Sequence, residues 1–195
     1  MNTQLLTDAL NFADTAHRGQ LRRYSHDEFI IHPTRVGFQA AKHGLPDEAI
    51  AAAYLHDVIE DTDVTYQDLA SAGFPKRTIA LVRLLTKWWD TGEPNERVVT
   101  IYRRSYYAAI CADPIATDLK ILDRTDNLED RGKLLPANAP WVKDYVAVTE
   151  AEFPALIANC FREGIIERYH TTLDRLHWAI LHATNARYAE GSDHG

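Results

Sequence analysis

The stretch LPDEAIAAAYLHDVIEDTD, residues 45–63, decides the fold of this chain. Pro46 and the two acidic residues after it are typical of a helix N-terminus, because the first helical turn tolerates a missing amide proton and favours negative charge. The alanine-rich middle allows neighbouring helices to approach closely. We therefore predict a helix through this stretch, packed inside a bundle of other helices.

The same helical pattern dominates the rest of the chain. Apolar residues recur at helix spacing between Leu5 and Ala13, whereas strand-like alternation is nearly absent. Pro33 is suited to the first turn of a helix that Gly44 would end. Further helices are predicted at 65–72, 75–89, 98–112, 114–131, 141–160 and 163–188, with loops at 90–96 and 135–140.

These patterns predict an all-α fold, organised as one domain over residues 1–195. The core that carries the motifs described below spans about residues 5–135, and C-terminal helices occupy about 141–188. A chain of this length buries enough apolar surface to fold without a disulfide or a structural metal. Cys111 and Cys160 lie far apart without CxxC spacing, so we expect reduced, buried thiols.

Composition narrows the classes of function. The net charge of −7 argues against a surface that binds nucleic acid. It allows a small phosphorylated ligand, because a basic pocket or a bound cation can reverse the field within one cleft. The N-terminal segment lacks the basic head and apolar core of a signal peptide, and no apolar run approaches the ~20 residues of a membrane span. We expect a cytoplasmic protein with no membrane partner; the sequence leaves its oligomeric state open.

The HDVIED segment places ionisable groups on an otherwise apolar helix. His56 and Glu60 are separated by one turn, as are Asp57 and Asp61. Burying several carboxylates without partners costs several kcal/mol each, and a divalent cation compensates for that cost. Neutral imidazole and ionised carboxylate are suitable ligands for it. A His-Asp pair alone is weak support, since His26 and Asp27 form a second one.

Two other segments strengthen the case for a metal. His32 lies at a loop-to-helix junction in IIHP, and Asp123 lies one turn before Asn127 in DLKILDRTDNLEDR. Helix-borne ligands at His32, His56, Asp57 and Asp123 converge only where three helices pack together. Two imidazoles and two carboxylates leave coordination positions for water and substrate, which is typical of a catalytic metal.

Three segments, HRGQLRR…FIIHP, YLHDVIEDTDVTYQDL and LKILDRTDNLEDR, resemble in order and spacing the hydrolase domain of the RelA/SpoT family. That domain belongs to the His-Asp (HD) phosphohydrolase superfamily. The resemblance implies an HD-domain helical bundle that removes the 3′-pyrophosphate of ppGpp or pppGpp in the stringent response, assisted by Mn²⁺ or another divalent cation. The chain has no room for the synthetase domain of the long members, so it looks like a stand-alone small alarmone hydrolase.

The resemblance also implies roles for particular residues. His32, His56, Asp57 and Asp123 resemble the metal ligands. Glu60 and Asp61 resemble the acidic pair that positions or deprotonates the attacking water. Asn127 matches a residue near the ribose, and Arg22 or Arg23 matches a basic position that contacts base and phosphate. Further cations for phosphate are offered by Lys42, Arg103, Arg104 and Arg124; Arg103 and Arg104 fit a phosphate clamp and a solvated helix face equally well, and Arg124 is expected to pair with a carboxylate around the site.

The chain departs from the family pattern at two places near the nucleotide pocket. RRYSHDEFIIH lacks the usual Gly and Pro and has Phe29 where Tyr is usual, and Asp126 stands where His or Tyr is more common. Base preference is therefore open, with an adenosine alarmone, the 2′-phosphate of NADPH or a nucleoside monophosphate as alternatives. A different class is a sensor that binds nucleotide without cutting it. A DNA-binding or structural role has only the bundle fold in its favour.

Overall fold

The fold was taken from a computed structural model that describes residues 1–23, 25–87, 96–134 and 149. Within these residues the only strand-like feature is an isolated bridge between Leu21 and Glu28. The all-α prediction is confirmed. The helices are α1 (Thr3–Ala16), α2 (Ile31–Lys42), α3 (Asp47–Leu55), α4 (Val58–Asp61), α5 (Tyr66–Ser71), α6 (Lys76–Leu85), α7 (Glu96–Cys111) and α8 (Pro114–Leu134).

Helix α3 is the centre of the bundle. Its alanines are buried, and it packs against α1, α2, α6 and α8. Small side chains allow this close approach on several sides. On the facing helix α2, Gly37 lies so close to the Tyr54 ring that a Cβ at position 37 would clash with Tyr54 Cε1. The alanine-rich stretch is therefore the packing centre that the sequence predicted.

The prediction of one continuous helix through residue 63 is wrong. Helix α3 ends at Leu55, and α4 begins at Val58, with His56 and Asp57 between them. His56 Nδ1 lies 2.7 Å from the Ala53 carbonyl, the group that would accept the Asp57 amide in an unbroken helix. The break therefore coincides with the two residues predicted to bind metal.

Helix α6 ends at Leu85, whereas the prediction extended it to residue 89, because Thr86 is extended and the Lys87 amide donates to Glu60 Oε1 instead of continuing the helix. The boundaries of α2, α5 and α8 follow the predicted signals. Pro33 lies in the first turn of α2, and Gly44 beyond its end adopts a φ of +72°. Thr65 and Asp68 form a capping box at α5. Asp113 caps α8 by accepting the amides of Ile115 and Ala116. The predictions for the loops at 90–96 and 135–140, for Cys160 and for the helices at 141–160 and 163–188 fall wholly or mainly outside the described residues.

The described helices also bear on membranes. Within the described part of the chain, no helix combines the length and the apolar character that a membrane crossing requires.

Candidate metal centre

Two buried imidazoles lie close together where the start of α2 packs beside the end of α3. His32 is in the first turn of α2 and His56 follows the last turn of α3; their exposed fractions are 1% and 3%. Asp57 reaches both rings, with Oδ2 3.6 Å from His32 Nε2 and Oδ1 3.2 Å from His56 Nε2. One donor atom from each of these three residues lies within 4.8 Å of the others, a spacing that can hold a metal ion.

Asp123 adjoins this set from α8. Its Oδ1 is 3.2 Å from His32 Nε2 and 3.6 Å from His56 Nε2. Asn127 Nδ2 donates to the same oxygen at 2.7 Å, and Lys120 Nζ lies 2.8 Å from the other oxygen, Oδ2. The structure therefore brings the four predicted ligands together, with the three-residue set at the centre and Asp123 beside it.

The hydrogen bonds of His56 fit a metal ligand. Because Nδ1 donates to the Ala53 carbonyl, Nε2 carries the lone pair in the neutral ring. Nε2 is buried and, among the described residues, has no hydrogen-bond partner. An imidazole lone pair beside two carboxylates is a suitable environment for a divalent cation.

The ionisation of the cluster agrees with this view. Burial alone lowers the pKa of His56, but the adjacent Asp57 and Asp123 carboxylates outweigh it and raise that pKa to about 9. Burial raises the pKa of Asp123, whereas Lys120 and the two histidines hold it well below its ordinary value. The carboxylates thus stay ionised and draw positive charge to the centre, as a proton or as a metal ion.

Glu60 and Asp61 lie one turn beyond Asp57 on α4. Glu60 is held on both oxygens by Lys87, whose amide is 2.6 Å from Oε1 and whose Nζ is 3.0 Å from Oε2. Asp61 is more exposed, and with Glu60 and Gln20 it lines an open cavity of about 840 Å³. Partial desolvation, together with the Asp57 and Glu60 charges, raises the pKa of Asp61 to about 6.

Of the two basic residues predicted near the nucleotide, Arg22 lies beside the site. Its Nη2 donates to Asn127 Oδ1 at 3.1 Å and to Asp130 Oδ2 at 3.0 Å. Its guanidinium also lies 5.8 Å from the centre of the Phe29 ring. Arg23 is exposed, and its role near the nucleotide stays a prediction.

The cations on α7 and α8 were predicted from sequence position alone. On α7, Arg103 is half-buried and Arg104 is exposed, and their role in binding phosphate stays a prediction. Arg124 is buried and donates to the hydroxyls of Tyr107 and Thr149. The carboxylate pairing that the sequence predicts for Arg124 stays a prediction.

Sequence reasoning missed several residues of the site. Lys120 is a lysine in an apolar helix three residues before Asp123, a local signal of a buried ion pair. Lys87 and Arg35 gave no such signal, because their partners Glu60 and Asp126 are remote in sequence. Such contacts become visible only when the helices are packed.

The fold and the site define a helical HD domain. The chain matches the HD domain family over residues 9–145, more than half of its length. It therefore belongs to the HD domain family.

Curated relatives narrow the resemblance. The guanosine-3′,5′-bis(diphosphate) 3′-pyrophosphohydrolase of Aquifex aeolicus is 36% identical over 121 residues, which are 62% of this chain and 17% of that protein. The bifunctional (p)ppGpp synthase/hydrolase SpoT of Escherichia coli is 35% identical over 133 residues, 67% of this chain and 18% of SpoT. The Vibrio cholerae guanosine-3′,5′-bis(diphosphate) 3′-pyrophosphohydrolase is 36% identical over 177 residues, 90% of this chain and 24% of that protein.

The chain thus spans between 17% and 24% of the length of these relatives. Among solved structures, a metazoan ortholog of SpoT that hydrolyses ppGpp matches with a TM-score of 0.67 at 22% identity, over 80% of this chain and 87% of that one. At this identity the match shows a shared fold. The relatives confirm the resemblance to the RelA/SpoT-type hydrolase domain.

Proposed function

We propose that this chain is a metal-dependent phosphohydrolase that removes the 3′-pyrophosphate of ppGpp or pppGpp, giving GDP or GTP and pyrophosphate. The observation that carries the proposal is the convergence of His32, His56 and Asp57, with Asp123 beside them, next to an open acidic cavity. The names and the similarity of the curated relatives support this substrate.

The ligand set that we propose is His32, His56, Asp57 and Asp123. Two nitrogen and two oxygen donors suit Mn²⁺, and without a thiolate they give no advantage to softer metals. A bound divalent ion would supply Lewis acidity and lower the pKa of a water molecule. The HD family and the donor chemistry support a divalent cation in general; manganese is our more specific choice.

Glu60 and Asp61 divide the work on the attacking water in this proposal. Lys87 fixes both oxygens of Glu60, so this carboxylate is held in place to orient the water by accepting a hydrogen bond. Asp61 faces the open cavity, and with a pKa of about 6 it is suited to accept the proton near neutral pH.

On the substrate side, we propose that Asn127 contacts the ribose and Arg22 contacts the base or a phosphate. Asn127 donates to the Asp123 carboxylate, and Arg22 donates to Asn127, so both residues belong to one hydrogen-bonded group. Arg23, Arg103 and Arg104 add positive charge for the phosphates. Such a substrate is a small cytoplasmic nucleotide, and we place the protein in that compartment.

The test is a substrate panel with the Mn²⁺-loaded protein: ppGpp, pppGpp, ppApp, NADPH and GMP. Asp57→Ala is the control, because it removes a central ligand. We expect pyrophosphate release from the guanosine compounds by the natural protein only. Turnover confined to ppApp or NADPH would instead favour the alternative that the altered segment around Phe29 motivates, the same metal centre with another nucleotide.

A non-catalytic nucleotide sensor is the contrasting outcome of this panel. It would bind Mn²⁺ and ppGpp without releasing pyrophosphate. The presence of both acidic residues beside the cavity argues against it, since a sensor has no use for a group that accepts a proton.

A further inference from the structure

His32 also contacts the Asp126 carboxylate, which has no role in the proposed function. His32 Nδ1 lies 2.7 Å from Asp126 Oδ2, on the side of the ring opposite the proposed metal. Both residues are buried, with exposed fractions of 1% and 7%. An ionised carboxylate only accepts hydrogen bonds, so the proton of this pair belongs to His32 Nδ1 and the lone pair of the neutral ring is at Nε2.

Asp126 is itself held in place by Arg35. Arg35 Nε lies 2.7 Å from Asp126 Oδ1, and Arg35 Nη2 lies 3.0 Å from Oδ2, so the guanidinium engages both oxygens. The same Nη2 is 2.9 Å from Asp130 Oδ1. A planar guanidinium that pairs with both oxygens fixes the plane of the carboxylate as well as its charge.

The chain of contacts continues to the opposite ligand. Arg22 donates hydrogen bonds to both Asp130 and Asn127. Asn127 in turn donates a hydrogen bond to Asp123 Oδ1. Asp126 is therefore one link in a connected set of charged hydrogen bonds that joins His32 to Asp123. Such outer partners orient metal-binding imidazoles and increase the basicity of the nitrogen that binds the ion.

We propose that Asp126, braced by Arg35, is a positioning residue that fixes the orientation and tautomer of His32 for metal binding. This inference rests on the metal centre of the proposed function, but not on its substrate. Asp126 is also one of the positions where the chain departs from the RelA/SpoT pattern. The departure thus bears on the metal ligand, in addition to any effect on the nucleotide.

The experiment compares Asp126→Ala and Asp126→Asn with the natural protein by calorimetric titration of Mn²⁺ into the metal-free protein at one pH. Removing an outer partner of a metal-binding histidine typically weakens affinity by roughly 10- to 100-fold. We expect a loss in that range for Asp126→Ala. A smaller loss is expected for Asp126→Asn, because the amide oxygen still accepts from His32 Nδ1 without the negative charge.

The matched control is Asp113→Asn. Asp113 also accepts two hydrogen bonds from one arginine, Arg77, at 2.6 and 2.9 Å. It lies away from the proposed metal centre. A merely structural ion pair would lower thermal stability in the variants at 113 and 126 alike and leave Mn²⁺ affinity unchanged. Our proposal requires the affinity to change at position 126 alone.

A second readout needs no metal. The His32 Nδ1 proton should give a slowly exchanging, strongly downfield imidazole NMR signal in the natural protein and in Asp126→Asn. The signal should disappear in Asp126→Ala, and in Arg35→Met it should exchange faster. Should Asp126→Ala fail to fold, the Asn and Arg35 variants still test the inference.

Equal Mn²⁺ affinity in the natural protein and the Asp126 variants would overturn the inference while leaving the proposed function intact. If Mn²⁺ affinity depends on Asp126 but the protein cleaves none of the nucleotides, the inference stands and the proposed function is overturned. A natural protein that binds no Mn²⁺ at all would overturn both.

Discussion

At the scale of single residues, Asp123 shows how one carboxylate serves two environments. Its Oδ2 accepts the buried Lys120 ammonium, whereas Oδ1 faces the imidazoles and accepts Asn127. Lys120 compensates part of the negative charge of the buried Asp123 carboxylate, which lies close to the Asp57 carboxylate. Only Oδ1 is then directed at the proposed metal position. The lysine therefore orients the proposed ligand as well as balancing its charge.

Glu60 provides the first prediction at this scale. Glu60→Gln keeps the shape of the side chain but loses the charge that Lys87 pairs with. We expect kcat to fall by roughly 100- to 10,000-fold, the usual effect of losing a group that handles a proton or orients the nucleophile. Mn²⁺ affinity, measured by calorimetric titration, should stay within about threefold, because Glu60 is not among the proposed ligands.

Full turnover in Glu60→Gln would show that its carboxylate is not needed for the water. A large loss of Mn²⁺ affinity would instead mean that Glu60 supports the metal. Asp113→Asn serves again as the control for loss of one ion-paired carboxylate elsewhere.

Asp61 provides a prediction about pH and stability of the metal-free protein. Its folded-state pKa is raised from 3.8 to about 6, so the fold binds this proton more tightly than the unfolded chain does. That stabilising contribution is complete below about pH 4 and is lost as pH rises through about 6. Asp61→Asn has no charge to acquire. It should therefore be more stable than the natural protein above about pH 6, and the difference should vanish near pH 4.

Because part of the Asp61 side chain is exposed to solvent, screening limits the difference to about 1 kcal/mol. Urea unfolding at several pH values measures it. A difference that does not change with pH would mean that the Asp61 carboxyl has an ordinary pKa.

At the scale of helices, the contact between α2 and α3 sets the distance between the two histidines. Gly37 of α2 packs directly against the Tyr54 ring of α3. Gly37→Ala would force the Tyr54 ring to move or the helices to separate, and overpacking of this kind costs about 1–3 kcal/mol. We expect lower unfolding free energy and weaker Mn²⁺ binding, because His32 and His56 belong to the two helices that separate.

The double variant Gly37→Ala with Tyr54→Leu isolates this contact. It should recover most of the stability lost in the single variant, as measured by chemical denaturation. Gly44→Ala is the comparison, because its φ of +72° makes Ala costly there while nothing lies within 4 Å of the added Cβ. Gly44→Ala should lower stability and spare Mn²⁺ affinity; equal effects of both glycine variants on the metal would contradict the argument.

Helix positions were predictable because their signals are local. Apolar periodicity indicates α1, and Pro33 and Gly44 indicate α2 from the sequence alone. The break at His56 was not predictable from the sequence. The local sequence is the same whether the His56 ring bonds to the Ala53 carbonyl or the helix continues unbroken. A helix-breaking residue such as Gly or Pro is absent there, so local propensity indicated continuity.

The candidate site divides in the same way. The proposed ligands and the acidic pair stand in short motifs that sequence order reveals. The contact between His32 and Asp126 joins positions 94 residues apart, and the contact between Arg35 and Asp126 joins positions 91 residues apart. Their side chains carry no local mark of pairing, and several helices must pack before the contacts exist. The proposed ligands were thus easier to predict than the residues that contact them.

At the scale of the whole molecule, the proposed metal would compete with protons for one buried centre. His56 has a pKa of about 9 in the metal-free fold, and the pKa of His32 is also raised by Asp123 and Asp126 against the opposing effect of burial. The ordinary histidine value is 6.5. Protonated His56 therefore stabilises the metal-free fold fully below about pH 6.5, and this contribution is lost as pH rises through about 9.

A metal ion needs the neutral imidazole, so binding must expel the protons that the cluster retains. We expect Mn²⁺ affinity to rise about tenfold per pH unit for each proton released between about pH 6.5 and 9. Since a ligand stabilises the fold in proportion to the logarithm of its concentration over Kd, the rise in Tm at fixed Mn²⁺ should be larger near pH 8.5 than near pH 6.5. Calorimetric scans with Mn²⁺ and with a chelator measure this, and Asp57→Ala should abolish the difference while Asp113→Asn keeps it. A Tm rise independent of pH would mean that the histidines hold no proton for the metal to displace, and that the cluster draws its positive charge from elsewhere.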